Sequence, residues 1–207
     1  MTTQKTPLII EDPWISPRYR ASHWRIALNT TDWAEMTTIF RDRLVGRFLG
    51  SIHLIANDEE IGRFAGFSTL ALDCLLIETL NQFYKGLDET PSPHVDEFRE
   101  FFLNSEHFRD HFSDETAKIF YWHIRCGLLH QAQTKKKSFI RADDSAMITV
   151  TTNDVRDGII VNRVKFHEAV ERVIESYIKR LLDGGVANDA LRTNFIVKMK
   201  LICGDPL

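Results

Sequence analysis

From Asp32 onward the chain alternates between apolar stripes of helical period and short polar breaks. Trp33, Met36, Phe40, Leu44 and Phe48 recur at one step of three residues and three steps of four, which line one face of a helix. Asp32 offers the N-cap and Glu35 a capping box, so this helix is expected to start there and run to about His53. The next segment, about Phe64 to Tyr84, is apolar on most sides, and such a helix belongs at the centre of a bundle. Lys85-Gly86 ends it with a cation and a C-terminal glycine. Pro91-Ser92-Pro93 sets up a third helix, with Ser92 as cap and Pro93 in the first turn, carrying Val95, Phe98, Phe101 and Phe102. Ser113-Asp114-Glu115 opens a fourth, expected to end around Gln133.

The period then changes. Residues 138–141, 146–151 and 159–161 are short and rich in Ile, Val and Thr, with Asp143-Asp144-Ser145 and Asn153-Asp154 between them. They predict a small antiparallel β insertion over 138–161. Asn162 caps a long helix in which Phe166, Ala169, Val170, Val173, Ile174, Tyr177 and Leu181 share a face, and Gly184-Gly185 stops it. A last helix is expected from about Asn188 to Ile202. Residues 1–30 hold three of the six prolines and two of the four tryptophans, and read as an irregular arm packed on the domain. The fold expected is a single all-α domain over 1–207, mainly a helical bundle, with that one β insertion.

Composition changes this picture little. The chain has 207 residues, 43% of them hydrophobic, and 14 phenylalanines suggest an aromatic core. A net charge of −3 argues against a protein that coats nucleic acid non-specifically, which needs many phosphate-neutralising cations. It leaves room for one local basic groove. Cys74, Cys126 and Cys203 have neither metal-ligand spacing nor a disulfide framework, and the N-terminus lacks the basic and apolar regions of a signal peptide. A cytoplasmic protein without membrane contact is therefore expected, and no cofactor or metal is legible. His107 and His111 have i, i+4 spacing, but they fall before a helix start and read as solvated loop residues.

The chemistry-bearing stretch is Ile124-Arg125-Cys126-Gly127-Leu128-Leu129-His130-Gln131. It places a fixed cation, a thiol, a glycine and an imidazole in one helix. On a straight helix Arg125 and His130 point about 140° apart, so they share a site only if Gly127 bends the helix or a second chain completes it. The plain alternative is that Arg125 pairs with a core carboxylate, Glu78 or Asp73, while His130 caps the helix. Gly127 costs a helix about 1 kcal/mol relative to alanine and permits close approach of another backbone. Lys135, Lys136, Lys137 and Arg141 follow as a basic run, either a solvated tip or a phosphate-binding edge. Tyr121, one turn before Arg125, can bond a phosphate or pack.

R-x4-H near the end of a long helix in an all-helical domain resembles the R-x(4–6)-H signature of the HEPN superfamily. The segments FYWHIRCGLLHQAQTK, LALDCLLIETLNQFYKG and LRTNFIVKMKLIC are similar to stretches in uncharacterised HEPN proteins of bacterial plasmids and mobile elements, and together span Gly66 to Cys203. The resemblance implies a HEPN-like bundle that dimerises. It also implies a metal-independent ribonuclease of toxin–antitoxin or phage-defence type, with Arg125 and His130 as the catalytic pair, RNA as substrate and an antitoxin protein as a further partner. Glu78, which can orient the guanidinium or be purely structural, and Tyr121 are the supporting candidates that the residues themselves offer. Some members instead serve as non-catalytic binding modules. Cys126 departs from the polar residue often found after the arginine in active members.

Overall fold

A computed structural model of the chain describes residues 12–143 and 145–207; the first eleven residues of the expected arm, and Asp144, lie outside them. The helices follow the polar breaks. α1 spans Ala21–Asn29, α2 Trp33–Leu44 and α3 Gly50–Asn57, with a π-helical turn, Val45–Leu49, joining the last two. Asp32 caps α2 by accepting the Glu35 N–H at 3.0 Å, as its position predicts. α4 is the long central helix Gly66–Lys85, closed by Gly86 at φ 67°. α5 is His94–Asn104; Pro93 stands at its N-cap, so Ser92 does not cap it. α6 is Asp114–Ile119, capped by Ser113, and runs through a second π-helical turn, Phe120–Arg125, into α7, Cys126–Gln131. Beyond the sheet, α8 is Arg163–Asp183 and α9 Asp189–Cys203, with the Asn162 side chain accepting from Val164 and Lys165 N–H at the start of α8.

Two expectations are corrected. The arm is not irregular throughout, because residues 21–29 form α1. The prolines stop at Pro17, and beyond it Ala21, Trp24 and Ala27 make an apolar stripe that the core accepts. Trp24 is fully buried, edge-on to Phe195 of α9 at 5.5 Å. The β insertion is mixed rather than antiparallel. β1 is Phe139–Arg141, β2 Ile148–Val150 and β3 Ile159–Asn162, in the order β1-β3-β2, with β1 parallel and β2 antiparallel to β3. The strand with the most buried apolar surface, holding Ile159 and Val161, takes the middle, and the other two cover its edges.

α4 is flanked by α3, α5, α8 and α9, and buries Leu70, Cys74, Leu76, Ile77, Leu80 and Phe83. One aromatic cluster joins α5, the turn before α6, the π turn after it and α8: Phe102 stacks on Phe112 at 4.0 Å, and Phe120 on Phe166 at 5.0 Å. Another gathers Phe40, Phe83, Tyr177 and Phe195. Among the described residues no helix is long and apolar enough to cross a membrane.

The segment before α1 is held by one carboxylate. Asp42 accepts from Ser16 Oγ at 2.7 Å, from Arg18 N–H at 3.0 Å and from Arg18 Nε at 2.6 Å. Burial pushes the Asp42 carboxyl up, but the Ser16 and Arg18 hydrogen bonds outweigh it and hold it below its ordinary value of 3.8. A carboxyl lowered on folding contributes stability that is complete above the unfolded value and is lost as pH falls through the folded one. Urea denaturation of Asp42→Asn should therefore show a smaller loss of stability between pH 7 and pH 3 than the wild type. An equal loss would mean that this clamp does not titrate with folding.

Candidate functional site

The helix carrying the Arg125–His130 pair is not a straight α-helix. Between Phe120 and Arg125 it widens to i→i+5 bonding, with the Cys126 N–H reaching the Tyr121 carbonyl. Such single π turns are often found at functional sites. No glycine or proline marks this one; the run is Phe-Tyr-Trp-His-Ile-Arg. It buries Phe120, Tyr121, His123, Ile124 and Arg125 together and leaves Trp122 half-exposed.

Arg125 is 9% exposed and pairs with Glu78 on α4. Its Nε and Nη2 both donate to Glu78 Oε1, at 2.9 and 2.5 Å. Its guanidinium carbon lies 5.6 Å from the centre of the Tyr121 ring, within cation–π range. Burial opposes the charge on Arg125, but the Glu78 hydrogen bonds and negative charge outweigh it and raise the guanidinium further. Of the two carboxylates open to Arg125 in sequence, Glu78 is the partner; Asp73 faces His167 instead.

The remaining arm of the guanidinium meets His130. Nη1 lies 3.3 Å from His130 Nε2, and the histidine is exposed. An arginine can only donate, so His130 Nε2 accepts and the neutral ring carries its hydrogen on Nδ1. The two residues thus meet within one chain, which corrects the expectation that a bend at Gly127 or a second chain is needed. Cβ directions about 140° apart are bridged by the reach of arginine, over an axial rise of about 7.5 Å for five residues.

Gly127 has a different task. Ala132 adopts a left-handed conformation, φ 53°, and turns the chain back along the helix it has just left. The Gln133 N–H bonds the Gly127 carbonyl at 3.3 Å, and the Lys135 N–H bonds the His123 carbonyl at 3.0 Å. A Cβ on Gly127 would overlap the Gln133 carbonyl oxygen, a backbone atom that cannot swing aside. Gly127→Ala should cost about 1–3 kcal/mol, as overpacking does, read as a lower urea midpoint with unchanged slope. A neutral result would show that the return segment is free to lift.

That return places Lys135, the first residue of the basic run, against the same helix, and the rest of the run leads on to β1. Lys135 is half-buried, and Lys136 and Lys137 are exposed. Lys137 Nζ pairs with Asp157 at 3.0 Å, and Arg141 on β1 has Asp143 3.9 Å away. Beneath them His123 is buried, its Nδ1 3.0 Å from Ser138 Oγ, which also accepts the Ile159 N–H of β3. Burial first, then the charges of Lys136 and Lys135, push His123 below its ordinary value. His123 is a neutral tie between helix and sheet, and His130 is the exposed imidazole. Tyr121 is buried and packs against Phe98 at 5.5 Å; burial and Cys126 beside it push its hydroxyl up.

A pocket of about 500 Å³ opens elsewhere, lined by Asn81, Tyr84, Lys85, His107 and Ser176 among others, and includes neither Arg125 nor His130. The expected pair His107 and His111 does fall in a turn region before α6, but His107 is not simply solvated, because its Nε2 lies 2.8 Å from Ser176 Oγ on α8. Sequence reasoning missed a second group of histidines and carboxylates, His53, Asp73, His167 and Glu171. Its one legible signal was the i, i+4 spacing of His167 and Glu171. No protein family, no curated protein and no solved structure matches the chain.

Proposed function

We propose that the chain is a metal-independent endoribonuclease of HEPN type, acting as a homodimer in a toxin or phage-defence setting. The observation that carries this reading is the 3.3 Å contact between a guanidinium held by Glu78 and an exposed imidazole, beside a basic run. RNA supplies its own nucleophile. A neutral His130, its Nε2 released from Arg125 Nη1 as substrate enters, takes the proton of a 2′-hydroxyl, whose oxygen attacks the adjacent phosphorus. The bond to the 5′-oxygen breaks, and an imidazolium returns a proton to that leaving oxygen. The products are a 2′,3′-cyclic phosphate and a 5′-hydroxyl. Arg125 stays charged throughout and stabilises the negative charge that develops on the phosphoryl oxygens. Two-fold symmetry would supply a second His130, so that one ring serves as base and the other as acid. Lys135, Lys136, Lys137 and Arg141 would hold the flanking phosphates. A partner protein acting as antitoxin would work by covering this face.

A second reading is favoured by one observation: Arg125 is largely buried, and two of its nitrogens are already committed to Glu78. On that reading the chain is a non-catalytic HEPN module that binds RNA or a protein partner. Purified protein incubated with labelled RNA in EDTA separates the two. Cleavage leaving 2′,3′-cyclic phosphate ends, and lost in His130→Ala, supports the ribonuclease. Retention of intact RNA on a filter without cleavage supports the binding module.

A further inference from the structure

On the other side of α4 from Glu78, three helices bring together His53 of α3, and His167 and Glu171 of α8, with Asp73 of α4 behind them. Asp73 and Glu78 are five residues apart on one helix, so they leave it about 140° apart. The two groups of residues are therefore separate features of the fold.

Each of His53, His167 and Glu171 offers one ligand atom, and these atoms all lie within 4.8 Å of one another. His167 and Glu171 stand one helical turn apart and share a face. His53 Nε2 is 2.9 Å from Glu171 Oε1, and the two histidine rings meet edge to face at 5.6 Å. Behind them, His167 Nδ1 lies 2.8 Å from Oδ1 of Asp73, which is 0% exposed. That bond commits Nδ1 and leaves Nε2 as the nitrogen His167 can offer.

The Nε2 atom carries the argument. His167 is 8% exposed, and its Nε2 is buried without a hydrogen-bond partner among the described residues. Buried polar atoms without partners are rare and costly, and each calls for a reason. Two separate pairs, His53 with Glu171 and His167 with Asp73, would explain every other nitrogen-to-oxygen contact here, but not this atom. A cation bound at Nε2 would. It would not account for Asp73 Oδ2, which is also buried and unpartnered.

We propose that His53, His167 and Glu171 form a binding site for a divalent transition-metal ion of the zinc class, with Asp73 orienting His167. Two imidazole nitrogens and one carboxylate suit zinc, with bonds of about 2.0–2.2 Å, and leave a fourth position for water. A carboxylate behind a ligating histidine fixes its tautomer and raises its basicity, which is the part Asp73 plays. Small side-chain rotations bring ligand atoms within 4.8 Å of one another onto a common centre. Magnesium and calcium, which favour all-oxygen ligand sets, are poor occupants.

The test is titration of tag-free, chelator-treated protein with Co²⁺, followed by visible absorption. The wild type should bind one equivalent, show the d–d bands of a four-coordinate site, and release Co²⁺ to Zn²⁺ but not to Mg²⁺. His53 is exposed and Glu171 partly so, which makes His53→Ala and Glu171→Gln safe for the fold. Each should weaken binding at least about 10-fold, the scale on which metal-site partners act. Absence of saturable binding to the wild type would overturn the proposal. So would binding that both variants retain unchanged, because the ion would then sit elsewhere. The readout involves no RNA, so it succeeds or fails independently of the ribonuclease reading.

Discussion

Replacing His130 by alanine is expected, on the proposed ribonuclease reading, to slow RNA cleavage by about 10²–10⁴-fold, the usual contribution of a positioned acid–base group, while leaving the fold intact. The second half of that expectation follows from exposure. The ring is solvent-facing and its one described partner is Arg125 Nη1. Surface replacements of this kind usually change stability by no more than about 0.5 kcal/mol. The first half follows from elimination among the neighbouring groups. His123 is buried, tied to Ser138 and pushed down in pKa, so it does not exchange protons with a substrate. Tyr121 is packed among aromatic rings with its hydroxyl pushed up. Arg125 does not deprotonate in proteins. Single-turnover cleavage of a labelled RNA, with thermal melts of both proteins, gives the answer. A variant that melts like the wild type and cleaves as fast would remove His130 from the chemistry.

Much of the fold could be read from side-chain period and end signals. Asp32, Ser113 and Asn162 cap helices where their positions predict, and Gly86 closes the central one. The parts that could not be read share a cause, which is that the deciding partner is far away in sequence. α1 has only the short stripe Ala21, Trp24 and Ala27 to announce it, and the Phe195 ring that Trp24 packs against lies far away in sequence. Strand period reveals which residues face the core, but not whether the neighbouring strand runs the same way, so β1 and β3 gave no sign of being parallel. The π turn at Phe120–Arg125 carries no glycine or proline to mark it, and Gly46 in the other one, Val45–Leu49, answers to Pro17, far away in sequence. In the site, the demand of a buried carboxylate for a cation made Glu78 a fair partner for Arg125. The Arg125–His130 contact escaped because angular arithmetic places Cβ atoms and ignores a long, flexible side chain. His53 and Asp73 come from helices other than α8, so only the His167–Glu171 half of that cluster had a sequence signature.

Glu78→Ala is expected to lose about 3–5 kcal/mol of unfolding free energy, because it strands a guanidinium in a site built for a pair. The Arg125 and Glu78 side chains are only 11% and 16% exposed. Water therefore replaces the lost carboxylate poorly. Arg125→Ala should cost a similar amount, since it strands the carboxylate instead. The pair together is a different matter. Well-packed apolar residues can replace a buried ion pair with little loss or even a gain, so Glu78→Leu combined with Arg125→Met should recover most of the stability lost by either single change. Urea denaturation of the wild type and the variants measures this directly. A Glu78→Ala cost below about 1 kcal/mol would place the pair among solvated surface bridges and remove the reason for treating the guanidinium as fixed. The double variant also separates the two readings of the site. If the ion pair only holds α4 to the helix that follows α6, the restored protein should bind RNA or its partner as the wild type does. If Arg125 stabilises a charged phosphoryl group, the restored protein should be folded, stable and unable to cleave. Only a functional role for the cation predicts that stability and cleavage part company in this protein.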